Sequence, residues 1–431
     1  MLRFLYTLAM YLVTPVIVAR LVVHGVRYRS YLGRWRERFG RFPDPGLRDC
    51  IWVHAVSVGE VNAAIPLIHS LRKRYAPRPM VVTTVTPTGS DRVRSLFDDE
   101  VFHVYLPYDL PAAVSRFLDR IRPVLAVVME TEIWPNLFHQ CGRRGIPLAV
   151  VNARLSERSL RRYRPIRALV RQALGNVALV AAQSRADAVR YRALGAQPSR
   201  VHVSGNLKYD MPLPKGARQH GDDLREKWGD MRPVWIAAST HEGEELAAFK
   251  AHLTVLARMP DALLLVAPRH PERFRLVEHA ARNLGFMVAT HNADDVDEET
   301  QCLVIDAMSV MMRYFAAADL AFVGGSLVPV GGHNVLEPAA LSKPVVVGPN
   351  TFNFEEITRT LIEAGGARRV ASAAELGPMV LDLLRNGDEL ARMGAAARAV
   401  CARERGAARR TMVWLGRIVA RARYASSAQA D

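Results

Sequence analysis

Largely apolar short runs alternate with helical stretches along most of the chain, and the alternation occurs twice. The first series is Ile51–Val56, Met80–Val85, Val101–Leu106, Leu125–Met129, Pro147–Val151 and Leu179–Ala182, with helical patterns such as Val61–Tyr75, Pro111–Ile121 and Ala186–Leu194 between them. The second is Val234–Ala238, Leu263–Ala267, Met287–Ala289, Cys302–Ile305, Leu320–Val323 and Val345–Val347. Apolar runs of this length, separated by helices, predict strands buried on both faces, the condition of a parallel sheet covered by helices. The fold class is α/β, with two Rossmann-like domains. Between the series, Ser204–Gly221 loses periodicity and gains Pro and Gly, which reads as a hinge. The expected division is residues 1–26 as an N-terminal helix, 27–210 as the first domain, 211–424 as the second and 425–431 as a frayed tail. A single Ala/Arg-rich helix, Leu390–Tyr424, would close the second domain. Open parallel sheets bind ligands beyond the carboxyl ends of their strands. Two halves with facing strand ends would enclose a cleft, and the polar residues after each strand are where chemistry is sought.

Charge narrows the ligand. Lys plus Arg is 58 against 42 acids in 431 residues, a net +16. That excess implies an anionic partner: nucleic acid, acidic lipid or a phosphorylated substrate. The four cysteines, Cys50, Cys141, Cys302 and Cys401, are far apart and lack zinc or redox spacing. Residues Phe4 to Ala19 are almost wholly apolar, and Arg20, Arg27, Arg29, Arg34, Arg36, Arg38, Arg41 and Arg48 follow. The apolar stretch is short for a span. No small-residue cleavage site stands before the basic run. The reading is an uncleaved anchor or embedded helix, with the rest of the chain kept in the cytoplasm by the positive-inside rule. A helix lying in the interface and a soluble helix packed on the body are the alternatives.

The strand ends carry the candidate site. Ser57-Val58-Gly59-Glu60 follows the first strand. Glu60 could take a proton from an attacking hydroxyl, or merely complement a helix dipole, which would also lower its pKa. Glu130 and Glu132 follow the fourth strand beside Trp134 and could orient a substrate; alternatively Glu132 begins the next helix. Thr84, Thr86 and Thr88 could cap a helix or bind a phosphate, capping being the safer reading. From Asn152 and Arg154 a basic helix is expected to run to Arg171. In the second half, Ser239 and Thr240 follow one strand, and Arg269 and His270 follow the next; Arg269 could clamp a phosphate bidentately. Strand Leu320–Val323 then leads into Gly324, Gly325, Gly331 and Gly332, and a helix is expected to start near His333 or Asn334 and carry Glu337. Such a loop and helix N-terminus would point N–H groups at an anion, with Glu337 placed for a ribose; the plain alternative is that the glycines only make tight turns. No cluster has metal-ligand spacing.

Together these segments resemble one family. His54–Glu60 with the following Val-Asn-Ala, Thr84–Gly89, Glu130–Asn136, Gly205–Asp210 with Lys208, Ala238–His241, Arg269-His270 between prolines, and Gly331–Glu337 are similar, in order, to segments of the Kdo transferases of lipopolysaccharide synthesis, glycosyltransferase family 30. Kdo is 3-deoxy-D-manno-oct-2-ulosonic acid. The resemblance covers nearly the whole chain and implies the membrane-associated GT-B architecture, CMP-Kdo as donor and the lipid A precursor lipid IVA as acceptor. It implies Glu60 as general base, with the CMP held by Arg269, His270, Asn334, Val335, Leu336 and Glu337. A third CMP segment falls at Met308, Ser309 and Val310, where the family usually shows Met-Gly-Glu; a side-chain contact from an acid at 310 would be lost here. Glu130, Glu132, Arg154, Lys208, Ser239 and Thr240 are candidates for orienting substrate. No cofactor or metal is implied, and no nucleic acid; the remaining expected partner is an anionic membrane surface, at the cytoplasmic face of the inner membrane. The rivals are a GT-B enzyme using a UDP-sugar and a non-catalytic basic binder of membrane or nucleic acid, whose retention on nucleic acid would fall steeply with salt.

Overall fold

The computed structural model describes residues 1–27, 29–292, 295–308 and 310–427. The chain forms two compact units, Met1–Met211 with the segment from Arg405 onward, and Pro212–Glu404.

The first unit is built on seven parallel strands: β1 (Cys50–His54), β2 (Met80–Thr84), β3 (Phe102–Tyr105), β4 (Pro123–Met129), β5 (Leu148–Ala153), β6 (Val177–Ala182) and β7 (Val201–Val203). Their order is β3-β2-β1-β4-β5-β6-β7. Alternate residues of β1 serve opposite faces. Cys50 and Trp52 pack with Phe117 and Phe138, whereas Ile51 and Val53 pack with Leu67, Ile68 and Leu71. Both faces are therefore buried, which is why the strands read as continuous apolar runs. Strand β7 escaped the sequence reading because Val-His-Val is too short and mixed to register.

The second unit repeats the plan with β8 (Val234–Thr240), β9 (Leu263–Pro268), β10 (Val288–Thr290), β11 (Cys302–Val304), β12 (Leu320–Val323), β13 (Val345–Val347) and β14 (Ala367–Arg369). The order is β10-β11-β9-β8-β12-β13-β14, all parallel. Strand β14, Ala-Arg-Arg, carries no apolar signal and was also unexpected. The order reverses between β1 and β4 in the first sheet and between β8 and β12 in the second, where β10 and β11 also exchange places at the edge. Crossovers diverge there, and the strand ends beside the reversal are left open to a ligand.

Three expectations are corrected. The closing helix is two helices, Gly387–Glu404 and Ala407–Ser427, split at Gly406, whose φ of +96° suits glycine. The second of these belongs to the first unit, so residues 211–424 are not one domain: Ala407, Met412, Leu415 and Val419 join the core containing Leu67. That helix runs on through Ser427, so 425–427 continue it; residues 428–431 lie outside the described residues. The basic helix expected from Asn152 to Arg171 is broken. Asn152 still lies in β5, one residue before its end, and helices Glu157–Tyr163 and Arg167–Leu174 flank a turn at Arg164–Ile166, where Pro165 cannot supply an N–H to a continuous helix.

The returning helix is tied down by Asp210, whose carboxylate accepts from the N–H groups of Gly406 (2.6 Å) and Ala408 (2.5 Å). Arg410 Nε also donates to the Ser204 carbonyl at 2.7 Å. Replacing Asp210 by Ala should cost about 1–2 kcal/mol, the usual cost of a lost cap. Hydrogen exchange across Ala407–Ser427 should quicken first; unchanged protection there would contradict the role.

Candidate active site

In the first unit the polar groups gather at the β1/β4 reversal. The helix Val58–Tyr75 follows β1 with Glu60 in its first turn, and Glu60 Oε2 accepts from the Val56 N–H at 2.8 Å. This back-reach resembles the Glu of a capping box, but one bond does not set its charge. Burial pushes the Glu60 carboxyl up to about 8, helped by the charges of Glu130 and Glu132 and opposed by the Val56 N–H and Lys208. The expected lowering by the helix N-terminus is thus overridden by desolvation. Glu132 is likewise raised, chiefly by burial. It does not begin a helix; the next one starts at Pro135. Lys208 is pushed down by burial, and it senses Glu130, Arg154 and Glu60. The structure therefore brings Glu60, Glu130, Glu132, Arg154 and Lys208 into one electrostatic neighbourhood. Two residues missed in the sequence belong beside them: the Tyr191 hydroxyl donates to the Glu130 carbonyl at 3.0 Å, and the Tyr163 hydroxyl is pushed up by burial and Glu132.

Backbone strain marks the same places. Glu130 (φ 55°), Asn152 (φ 50°) and Ser239 (φ 56°) are non-glycine residues in the left-handed region, each within one residue of the end of a strand. Such conformations cost of order 1–3 kcal/mol and concentrate at functional sites. Thr86 caps the helix Pro87–Phe97 by accepting from the Gly89 N–H at 3.1 Å, as its sequence suggested.

In the second unit the glycine loop departs from expectation. Its amides do not all await a ligand. Glu244, fully buried in the helix Glu244–Leu256, accepts from Gly325 (2.6 Å) and His241 (3.0 Å) through Oε2, and from Ser326 (3.0 Å) and Leu327 (2.9 Å) through Oε1. A carboxylate of the chain itself thus occupies the anion position of this loop. A Cβ at Gly324 would stand 2.6 Å from the Ser239 carbonyl, so only glycine fits. The helix carrying Glu337 is also shorter than expected. It spans only Leu336–Ala340, and Asn334 Oδ1 accepts the Leu336 N–H at 3.1 Å. A helix of one turn supplies no useful macrodipole, so attraction for an anion must come from side chains.

Those side chains are Arg269 and three imidazoles. His241 and His333 approach Nε2 to Nε2 at 2.8 Å with their rings stacked, and His270 meets His241 edge-on at 5.2 Å. Burial pushes the His333 ring down to about 4, with His241, Arg269 and His270 adding to the effect. Glu337 is raised by burial; Asn334 Nδ2 donates to its Oε1 at 3.0 Å, and Arg269 acts on it. Val335 and Leu336 bury their side chains, leaving only their backbone for a ligand. Thr240 is buried with an unpaired hydroxyl. Met308 is exposed, Val310 packs against the unit's core, and the helix Met311–Ala317 that follows it packs on Leu336–Ala340. Ser309 lies outside the described residues. His241 and His333 could have been found from their place in the two motifs; Glu244 left no signal, because only the fold shows which amides it meets. Among the described residues no group of three or more His, Cys, Asp or Glu side chains could hold a metal ion.

Residues 33–211 match the family model of 3-deoxy-D-manno-octulosonic-acid transferase (kdotransferase). The 3-deoxy-D-manno-octulosonic acid transferase of Haemophilus influenzae is 41% identical over 417 residues, covering 95% of this chain and 97% of the relative. The chain belongs to this family. It is therefore a glycosyltransferase, a Kdo transferase. The Kdo transferase of Bordetella pertussis is 37% identical and covers 96% of this chain and 100% of its own. Among solved structures, a Rickettsia africae glycosyltransferase has a TM-score of 0.56 at 13% identity, covering 86% of this chain and 99% of that one. UDP-GlcNAc 2-epimerase from Neisseria meningitidis has a TM-score of 0.54 at 14% identity, covering 81% and 98%. These two share the GT-B type of fold with the Kdo transferase described here.

The raised pKa of Glu60 ties stability to pH. Because the folded value, about 8, lies above the ordinary 4.5, the stabilisation of the neutral form is fully present below 4.5 and is lost as pH rises through about 8. Each pKa unit corresponds to about 1.4 kcal/mol, so the whole effect is of the order of a few kcal/mol. Glu60→Gln, neutral at every pH, should melt progressively higher than the wild type as pH rises from weakly acidic to alkaline. A melting difference that does not change with pH would contradict the raised value.

Proposed function

We propose that this Kdo transferase moves Kdo from CMP-Kdo to lipid IVA in lipopolysaccharide biosynthesis, by an inverting displacement with Glu60 as general base. The observation that carries the reading is the environment of Glu60. A carboxylate with a pKa of about 8, at the reversal of a parallel sheet, is basic enough to accept a hydroxyl proton as the nucleophile commits. In the step, an acceptor hydroxyl oxygen bonds to the anomeric carbon, its proton passes to Glu60, and the bond from that carbon to the CMP phosphate oxygen breaks. CMP carries away the electron pair. Glu130, Glu132, Arg154 and Lys208 would hold the acceptor and tune Glu60.

The nucleotide belongs to the second unit in this reading. Arg269 and His270 meet the phosphate, while Asn334 to Glu337 and the segment Met308 to Val310 receive ribose and base, with Ser239 and Thr240 alongside. Arg269 and the imidazole cluster supply the stabilisation of the leaving phosphate, and no divalent cation is called for. The exposed arginines between Arg158 and Arg167 suit a bis-phosphorylated lipid. The apolar helix Leu2–Arg27 and the basic surface fit work at the inner membrane, with both units on its cytoplasmic side.

Incubation with CMP-Kdo and lipid IVA, with UDP-sugars as competing donors and a chelator in a parallel sample, should give lipid IVA heavier by whole Kdo units in both samples. Glu60→Gln should bind CMP normally and lose at least about a hundredfold in transfer. For the wild type, kcat/KM should climb as pH rises towards about 8 and then level, because the base must be ionised. Near-normal turnover in the variant, or a profile flat across this range, would remove Glu60 from the role.

A further inference from the structure

We propose that the N-terminal helix does not cross the membrane but lies in the plane of one leaflet, packed along the body of the first unit. The helix Leu2–Arg27 contains a stretch, Leu2–Val23, long and apolar enough to span by length and composition. Its side chains divide in a way that a span would not need. Arg3, Thr7, Met10, Thr14, Ile17 and Leu21 are partly covered, one every three or four residues, and so form a single stripe turned to the protein. The opposite face is open: Leu5 is 53% exposed, Leu12 71%, Val16 66% and Val23 70%. These four positions also fall on one line along the helix.

The start of the helix is fastened to this body. Near the start, the Tyr6 hydroxyl donates to Asp109 Oδ2 at 2.9 Å and the Thr7 hydroxyl to Asn136 Oδ1 at 3.0 Å. Asp109 and Asn136 are fully buried, and Asp109 also accepts from the N–H groups of Asn136 and Leu137, at the start of the helix Pro135–Arg143. At the other end Gly25 is buried against Leu32 of the segment that follows the helix, where a Cβ would lie 2.2 Å from the Leu32 Cγ, so the chain turns back closely there. A helix standing upright in a bilayer would carry its start, and the buried polar groups bonded to it, across the hydrocarbon. Lying flat, it keeps every one of these contacts.

Charge identifies the occupant of the open face. The helix packs on Pro135–Arg143 and on Arg167–Leu174. Just before and at the start of the latter, Arg158, Arg161, Arg162, Arg164 and Arg167 are all exposed. A row of guanidiniums with nearly uniform sign repels itself unless anions neutralise it. An apolar ridge flanked by arginines fits the acyl and headgroup layers of an anionic leaflet. Arg20, exposed on the helix, would extend its stem to the headgroups.

The test does not use the transfer reaction, so its failure and the failure of the proposed function are separable. All four native thiols are buried. Single cysteines at Leu5, Leu12, Val16 and Val23 therefore accept an environment-sensitive fluorophore selectively. With the protein on vesicles of phosphatidylethanolamine and phosphatidylglycerol, lipids brominated at graded depths should quench all four probes alike, at one shallow depth. Arg161→Glu with Arg164→Glu should weaken vesicle binding at least about tenfold, since each reversal removes an attraction to the anionic surface and adds a repulsion. From Leu5 to Val23 the helix rises about 27 Å. Probe depths progressing through the bilayer by that amount would mean a span and overturn the proposal. Vesicle-bound protein with unquenched probes, or probes shielded only by a second copy in solution, would overturn it equally. Binding indifferent to the arginine substitutions would overturn the choice of an anionic leaflet.

Discussion

A chain that lays down parallel strands must carry each connection back across the sheet, and where the strand order reverses the connections part to opposite faces. In this protein such a reversal stands between β1 and β4 in one unit and between β8 and β12 in the other. Polar side chains can gather at those points without interrupting a core that is buried on both faces of the sheet. Glu60, Glu130 and Glu132 stand at the first reversal. Ser239, His241 and the glycine loop stand at the second. The left-handed backbones of Glu130 and Ser239 show that holding these residues there carries a conformational cost.

Two carboxylates are held in different ways. Glu244 receives four backbone N–H groups and thereby fixes the loop from His241 to Leu327 as a rigid support. Glu60 receives one, and it faces two other carboxylates with a single lysine in partial compensation. The first arrangement builds a scaffold; in the second, burial raises the carboxyl.

The architecture was legible because double-sided burial writes itself into sequence as apolar runs. Strands β7 and β14 were not, since three residues at a sheet edge carry too little pattern. The division of the last helices was hidden by composition: the Ala/Arg-rich stretch reads as one helix, and only Gly406 with the distant Asp210 shows where the chain turns back. Among site residues, Glu60, Glu130 and Glu132 stood out at strand ends. The direction of the Glu60 pKa could not be read, because helix position argues one way and desolvation by residues far along the chain argues the other. The same holds for Glu244 and for the pairing of His241 with His333, both of which join segments about 80 to 90 residues apart. The shared motifs pointed to the family; they did not show that the loop amides were already taken.

The account turns on an uncharged Glu60 at neutral pH that ionises in the mildly alkaline range. Infrared difference spectra of the wild type against Glu60→Gln, recorded across a pH titration, observe that carboxyl directly. The account predicts a protonated-carboxyl band present at neutral pH in the wild type alone, disappearing with a midpoint near 8. A band already lost by about pH 5, where an ordinary glutamate has ionised, would contradict it.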